Sequence, residues 1–172
     1  MFHVEKSKKT SKRVEHGFPP FIYKEAEILM LGSFPSPVSR ETGFYYGHPR
    51  NRFWSVLAKV YGEDVPLGIE DKKSFLKRHK IALWDVVESC DIIGASDSSI
   101  TNVTPNDIRG VVRGTAIDKI CVTGKTAGKL LKKYVGIDGA ELPSPSSANC
   151  ALSFDELVKA YSKVLKQNIK NT

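Results

Sequence analysis

Residues 28–54 read ILMLGSFPSPVSRETGFYYGHPRNRFW, and they decide the fold. The apolar run Ile28–Leu31 is too short for a helix and is closed by Gly32, so it reads as a strand buried on both faces. A long turn follows, with glycines, prolines, serines, two adjacent tyrosines, one histidine, one asparagine and three arginines. Loops of this length inside a compact domain are usually functional. Helical spacing then begins near Arg50 and continues through Phe53, Trp54, Leu57, Val60 and Tyr61. The stretch therefore describes a strand, a pocket-forming loop and a helix.

The residue types in that loop suit a nucleotide. Gly32 lets backbone approach a ligand closely. Tyr45 and Tyr46 offer flat faces for a base. Arg40, Arg50 and Arg52 can meet phosphates. Asn51 can donate and accept, so it can hold a water or contact a base edge. The bland alternative is a tight strand-to-helix loop with two core tyrosines.

Outward from this stretch, strands and helices alternate. Lys80–Val87 reads as a second strand, Ile117–Thr123 as a third, and Glu141–Pro143 as the end of a short fourth. Helices are expected near 50–61, 70–79 and 125–135. A short one should start around Pro105 or Asn106, and the last one at Ser153, where Ser153 and Glu156 form a capping box. This alternation predicts an α/β fold: three layers, α/β/α, around a central four-stranded, mostly parallel sheet. In such sheets ligands sit beyond the carboxyl ends of the strands. Segments 32–51, 85–107 and 143–149 all follow strands and should meet on one rim. Residues 88–107 read as a polar connecting segment. Residues 1–16, with Lys6, Lys8, Lys9, Lys12 and Arg13, read as a disordered basic arm, leaving 17–172 as a single domain.

Bulk composition narrows the function. The 172 residues carry a net charge of +7, with 41% hydrophobic and 26% charged positions. The pI is near 9.3, which favours a polyanionic partner or simply good solubility. No apolar run is long enough to span a bilayer and no signal-peptide core opens the chain. The expected location is intracellular, in the cytoplasm, with no membrane partner. Cys90, Cys121 and Cys150 are too few and too scattered for a disulfide framework or a four-thiolate iron–sulfur cluster. No metal and no cofactor are expected. Gly124-Lys125-Thr126 has the end of a phosphate-binding loop but lacks its earlier glycine, since Lys119 stands there; a helix start accounts for it better.

Gly32-Ser33-Phe34-Pro35-Ser36, together with Tyr45-Tyr46-Gly47-His48-Pro49-Arg50-Asn51-Arg52-Phe53-Trp54, resembles the first motif of the uracil-DNA glycosylase superfamily. The hypoxanthine-DNA (deoxyinosine) glycosylase branch is nearest, and the mismatch-specific uracil-DNA glycosylases come next. The HP-x-N-x-FW string is specific. Leu142 to Asn149 resembles the second motif, and the likeness runs from about Gly17 to Asn149. Trp84-Asp85-Val86, Ser96 to Ile100 and Pro105 to Ile108 also resemble the hypoxanthine branch, without a chemical role to assign.

That resemblance implies the three-layer fold and a monofunctional DNA repair glycosylase acting in base excision repair. Such an enzyme flips a deaminated base, hypoxanthine before uracil, out of DNA and hydrolyses its N-glycosidic bond to leave an abasic site. The partner is damaged DNA and the enzyme is expected to be a monomer. Asn51 is the expected key polar side chain. The backbone N–H groups of Ser33 and Phe34 are placed to stabilise the departing base anion. Gly32, Phe34, Pro35, Tyr45, Tyr46, His48 and Asp85 are assigned to the base pocket. Ser36, Arg50, Ser144, Pro145, Ser146, Ser147, Ala148 and Asn149 are assigned to DNA, the last three as candidates for the wedge that fills the gap. Structural alternatives stand for His48, which can buttress the loop, for Asp85, which can cap a helix, and for one of the two tyrosines, which can be core. Sister branches carry a carboxylate or amide where Phe34 stands here, and no motif lysine is available for a Schiff base. Rival readings are a uracil or mismatch-specific glycosylase, a non-catalytic nucleic-acid-binding module on the same scaffold, and a nucleoside hydrolase.

Overall fold

The computed structural model describes residues 10–167. Its centre is the quoted strand. β1 is Lys12–Glu15 and β2 is Ile28–Gly32, whose five residues are all buried. The chain then forms α1 (Pro37–Thr42), α2 (Phe53–Tyr61), α3 (Gly68–Arg78), β3 (Ile81–Asp85), β4 (Val87–Ile93) and β5 (Ser96–Pro105). It ends with α4 (Ile108–Arg113), β6 (Lys119–Thr123), α5 (Lys125–Val135), β7 (Ala140–Leu142) and α6 (Phe154–Leu165).

The main sheet has the order β3-β2-β6-β7, and every pairing in it is parallel. This is the expected four-stranded core of the three-layer fold. Period-two alternation divides β2 between the faces. Ile28 and Met30 enter one core with Phe53, Leu57 and Tyr161 from α2 and α6. Leu29 and Leu31 enter the other with Ile108, Ala127 and Leu131 from α4 and α5. The same division puts Cys121 in the first core and Val122 in the second. Burial pushes the Cys121 thiol up to about 11, so it is an unreactive core residue.

Local signals set most element ends. Ser153 and Glu156 make the expected reciprocal capping box at α6. Gly62 closes α2 with φ +64°. Asp107, rather than Pro105 or Asn106, caps α4 by accepting the Gly110 N–H. Asn106 is instead buried and donates to the Asp85 carbonyl at 2.9 Å. Within the long loop Ser36 caps the short α1, which the spacing of apolar residues gave no reason to expect.

Two regions differ from the sequence expectation. Residues 88–107 are largely a hairpin, β4 and β5, joined through Gly94 at φ +58° and interrupted by register shifts. The expected basic arm contributes β1, antiparallel to β4, completing a second sheet of order β1-β4-β5. Lys12 and Arg13 are thus strand residues, while Lys6, Lys8 and Lys9 lie outside the described residues. The cause is tertiary. Val14 is the one partly covered residue of β1, and its backbone pairs with Cys90 of a strand 76 positions away. The Val86 and Val87 N–H groups donate to the carbonyls of Gly32 and Ser33, at 2.9 and 3.1 Å, so the start of the hairpin runs beside the glycine turn.

Candidate active site

The strand-end segments meet at a cavity of about 570 Å³. Its walls come from the turn after β2, from Asp85 at the end of β3, from the hairpin turn 95–98, from Thr123 at the end of β6, and from residues 144–149 after β7. Every expected pocket residue lies on this wall, as do Asn51, Ser33, Ser36 and the serine-proline turn. Arg50 does not; it is exposed outside the cavity.

Gly32 forms part of the wall because no other residue fits there. A Cβ at this position would overlap the Asp85 Oδ1 and lie 3.5 Å from the Tyr46 hydroxyl. Asp85 is itself fixed. Its Oδ2 lies 2.7 Å from His16 Nε2, and His16 Nδ1 lies 2.9 Å from the Phe18 carbonyl oxygen. Gly32→Ala must therefore displace a buried, paired carboxylate. A loss of about 1–3 kcal/mol is expected, measured by denaturant unfolding.

The two tyrosines have different roles. Tyr45 is a core residue: it is 2% exposed, its hydroxyl donates to the Pro19 carbonyl at 3.2 Å, and its ring packs edge-on to Phe18 and Phe44. Tyr45 thus takes the core alternative for most of its ring, while it still borders the cavity. Tyr46 sits at φ +51°, an uncommon conformation for an aromatic residue. One face of its ring lies on Phe53, with centroids 3.8 Å apart, and its hydroxyl is 2.9 Å from Thr123 Oγ1. Burial first, then the Asp85 charge, raises its phenol above the ordinary value and keeps it protonated.

Asn51 Oδ1 accepts the Phe53 N–H at 2.9 Å, at the start of α2. One lone pair of the oxygen is thereby used, and Asn51 offers a ligand its Nδ2 donor and the second lone pair. Among the described residues, no protein acceptor takes the N–H of Ser33 or Phe34. His48 Nδ1 accepts the Arg50 N–H at 3.1 Å, so His48 does buttress the loop.

The arginines are only partly free for phosphate. Arg40 lies over the Phe34 ring, 5.6 Å from its centroid. Arg52 is a structural clamp. Its guanidinium donates to the carbonyls of Ser146, Asn149 and Leu152, and its own N–H donates to the Pro145 carbonyl at 3.0 Å. One residue of the first motif thus holds the second. Tyr161 adds a 2.7 Å bond from α6 to the Pro143 carbonyl. Within the turn, Ser144 and Ser146 accept the N–H groups of Ser146 and Ala148, and Asn149 Nδ2 donates to the Ser144 carbonyl. Asn149 therefore braces the turn, leaving Ser147 and Ala148 as its exposed tip.

Two ionisable residues on or behind this wall were not assigned a role from sequence: His16, from the supposed arm, and Asp97, from the supposed connecting segment. Ser33 Oγ donates to Asp97 Oδ2. Asp97 stays open to solvent as a residue, yet the protein crowded around its carboxyl raises its pKa; the Ser33 bond opposes the rise and the Asp85 charge adds to it. The Ser96–Ile100 run was the only sequence signal pointing to it. Among the described residues no cluster of three or more His, Cys, Asp or Glu is placed to hold a metal, and no helix is long and apolar enough to cross a membrane.

A profile of the uracil DNA glycosylase superfamily matches residues 19–166. The chain is 36% identical over 140 residues to a hypoxanthine DNA glycosylase of Methanosarcina acetivorans, covering 79% of this chain and 89% of that protein. It is 35% identical over 140 residues to the hypoxanthine DNA glycosylase of Methanosarcina barkeri, covering 78% and 88%. The solution NMR structure of a candidate uracil DNA glycosylase from Methanosarcina acetivorans superposes with a TM-score of 0.76 at 33% identity, over 90% of this chain and 98% of that one. With a family profile spanning most of its length, a parallel four-stranded core and a strand-end cavity, this chain belongs to the uracil DNA glycosylase superfamily.

Proposed function

We propose that this protein excises hypoxanthine from deoxyinosine in DNA by hydrolysing the N-glycosidic bond, and leaves an abasic site. The observation that carries this reading is the cavity itself: Asn51, the glycine turn and the serine-proline turn bound one space open to solvent. A base inside a duplex is out of reach, so the nucleotide must rotate out, at a cost that mismatches reduce. Tyr46, which borders the cavity with its ring backed by Phe53, receives the base. As the glycosidic bond breaks, negative charge moves onto the base. The Asn51 Nδ2 and the Ser33 and Phe34 N–H groups are the donors that meet it. Ser36, Arg50 and the 144–148 turn take the flanking phosphates, and the Ser147–Ala148 tip fills the vacated stack.

Among the described residues the cavity wall carries no lysine, which supports simple hydrolysis over Schiff-base chemistry. The reading carries with it a cofactor-free monomer without an iron–sulfur cluster, acting on nucleoid DNA in the cytoplasm. The test is excision from labelled duplexes holding one inosine, uracil or xanthine, followed by alkaline cleavage, with free inosine as a further substrate. Inosine duplex should be cleaved fastest. A folded protein that leaves it intact, or that acts only on free inosine, overturns the reading.

A further inference from the structure

We propose that Asp97, delivered by the β4–β5 hairpin, is the general base that takes a proton from the attacking water. This rests on the glycosylase reading above. Hydrolysis needs a proton acceptor, and the cavity wall offers three side chains that commonly serve: His48, Asp85 and Asp97. His48 is spent. Its Nδ1 accepts the Arg50 N–H, so its neutral ring carries the proton on Nε2 and can only donate there. Asp85 is the poorer base: its carboxylate is buried, ion-paired with His16 through Oδ2, and packed by Oδ1 against Gly32. Asp97 is the wall carboxylate that has no basic partner among the described residues. Its one hydrogen bond among the described residues is from the Ser33 hydroxyl, so a carboxylate oxygen remains for water. That bond also fixes the carboxylate beside the turn whose N–H groups face the leaving base.

In the reaction, the C1′–N9 bond breaks and its electron pair leaves with the base. The water oxygen bonds to C1′, and its proton passes to Asp97. The base anion takes a proton from solvent, and Asp97 releases its own to solvent to reset. The titratable groups around Asp97 are Asp85 from β3, Tyr46 from the loop after β2 and Cys90 from β4. Burial and the Asp85 charge raise the Asp97 carboxyl, which brings it closer to the pH at which a base works best.

The experiment is single-turnover excision of inosine from duplex DNA across pH 5–9, with affinity measured separately on a duplex holding an abasic site. Asp97→Asn should lose about 10²-fold or more in rate at pH 7, within the usual range for a positioned base. It should also lose the acid limb of the pH profile, keep its affinity and keep its preference among bases. Formate should restore part of the rate to Asp97→Ala. Ser33→Ala removes the bond that favours the ionised carboxylate, so its acid limb should move to higher pH. Folding is checked by melting. The raised carboxyl costs stability as pH climbs above the unfolded value, so Asp97→Asn should melt no lower than the parent at pH 7.

An Asp97→Asn protein with the parent's acid limb overturns the inference, as does a loss confined to DNA affinity or to base preference. A parent protein inert on every duplex overturns the glycosylase reading and this inference with it. An active parent with an unimpaired Asp97→Asn variant overturns this inference alone.

Discussion

Asn51→Ala should lose excision by about 10²- to 10³-fold, the usual cost of removing one donor that meets developing charge. Its affinity for a duplex with an abasic site should remain close to the parent's. The structure adds a complication that a simple alanine scan would misread. Asn51 Oδ1 also accepts the Phe53 N–H at the first residue of α2, so alanine removes a bond at the helix entry together with the donor. That loss costs about 1 kcal/mol of stability. Asn51→Asp separates the two effects: its carboxylate still accepts from Phe53 but offers no N–H to the base and places a negative charge beside it. Asn51→Asp should therefore melt like the parent and excise as poorly as Asn51→Ala, or worse. A variant of either kind that folds and keeps parental single-turnover rates would remove Asn51 from the mechanism.

The largest stability effect belongs to a residue that composition assigns to a disordered tail. His16→Ala should destabilise the protein by about 3 kcal/mol or more, since it strands the buried Asp85 carboxylate without a partner. For a domain of this size that corresponds to roughly 10 °C in melting temperature. His16→Gln keeps an N–H that can reach Asp85 and should lose less. Deleting residues 1–16 removes β1 as well as the pair, and should cost more than the point substitution. Because Asp85 Oδ1 fills the space where a Gly32 side chain would stand, the loss should reach the glycine turn and lower excision too. Melting and single-turnover assays on the same preparations test both. If the 1–16 deletion melts with the parent, the pair does not hold the site.

The residues that sequence made legible share one property: their signals are local. Ile28–Leu31 is apolar without a break because β2 is flanked by strands on both sides and covered on both faces, and that alone requires a central strand. Ser153 and Glu156 announce α6 through bonds three residues apart. The first motif and the serine-proline turn are contiguous strings, and parallel strands carry their ends to one rim.

What sequence left open depends on partners far along the chain. Ser96–Pro105 forms a strand with few buried residues, so it lacks the alternation that would mark it, and its pairing with β4 had to be seen. β1 has one partly covered side chain and is held by backbone pairing. His16 meets Asp85 across 69 positions and Ser33 meets Asp97 across 64. The tyrosines are adjacent in sequence and both border the cavity, but only Tyr46 has a positive φ, and the two rings pack on different partners, Phe18 and Phe44 for Tyr45 and Phe53 for Tyr46. By itself, then, the sequence determined the parallel core and the strings that build the rim, because both follow from local pattern. Tertiary structure alone decided which carboxylate is paired with a histidine, which tyrosine is buried in the core and which arginine is a clamp, because each depends on which distant atoms have already taken the hydrogen bonds.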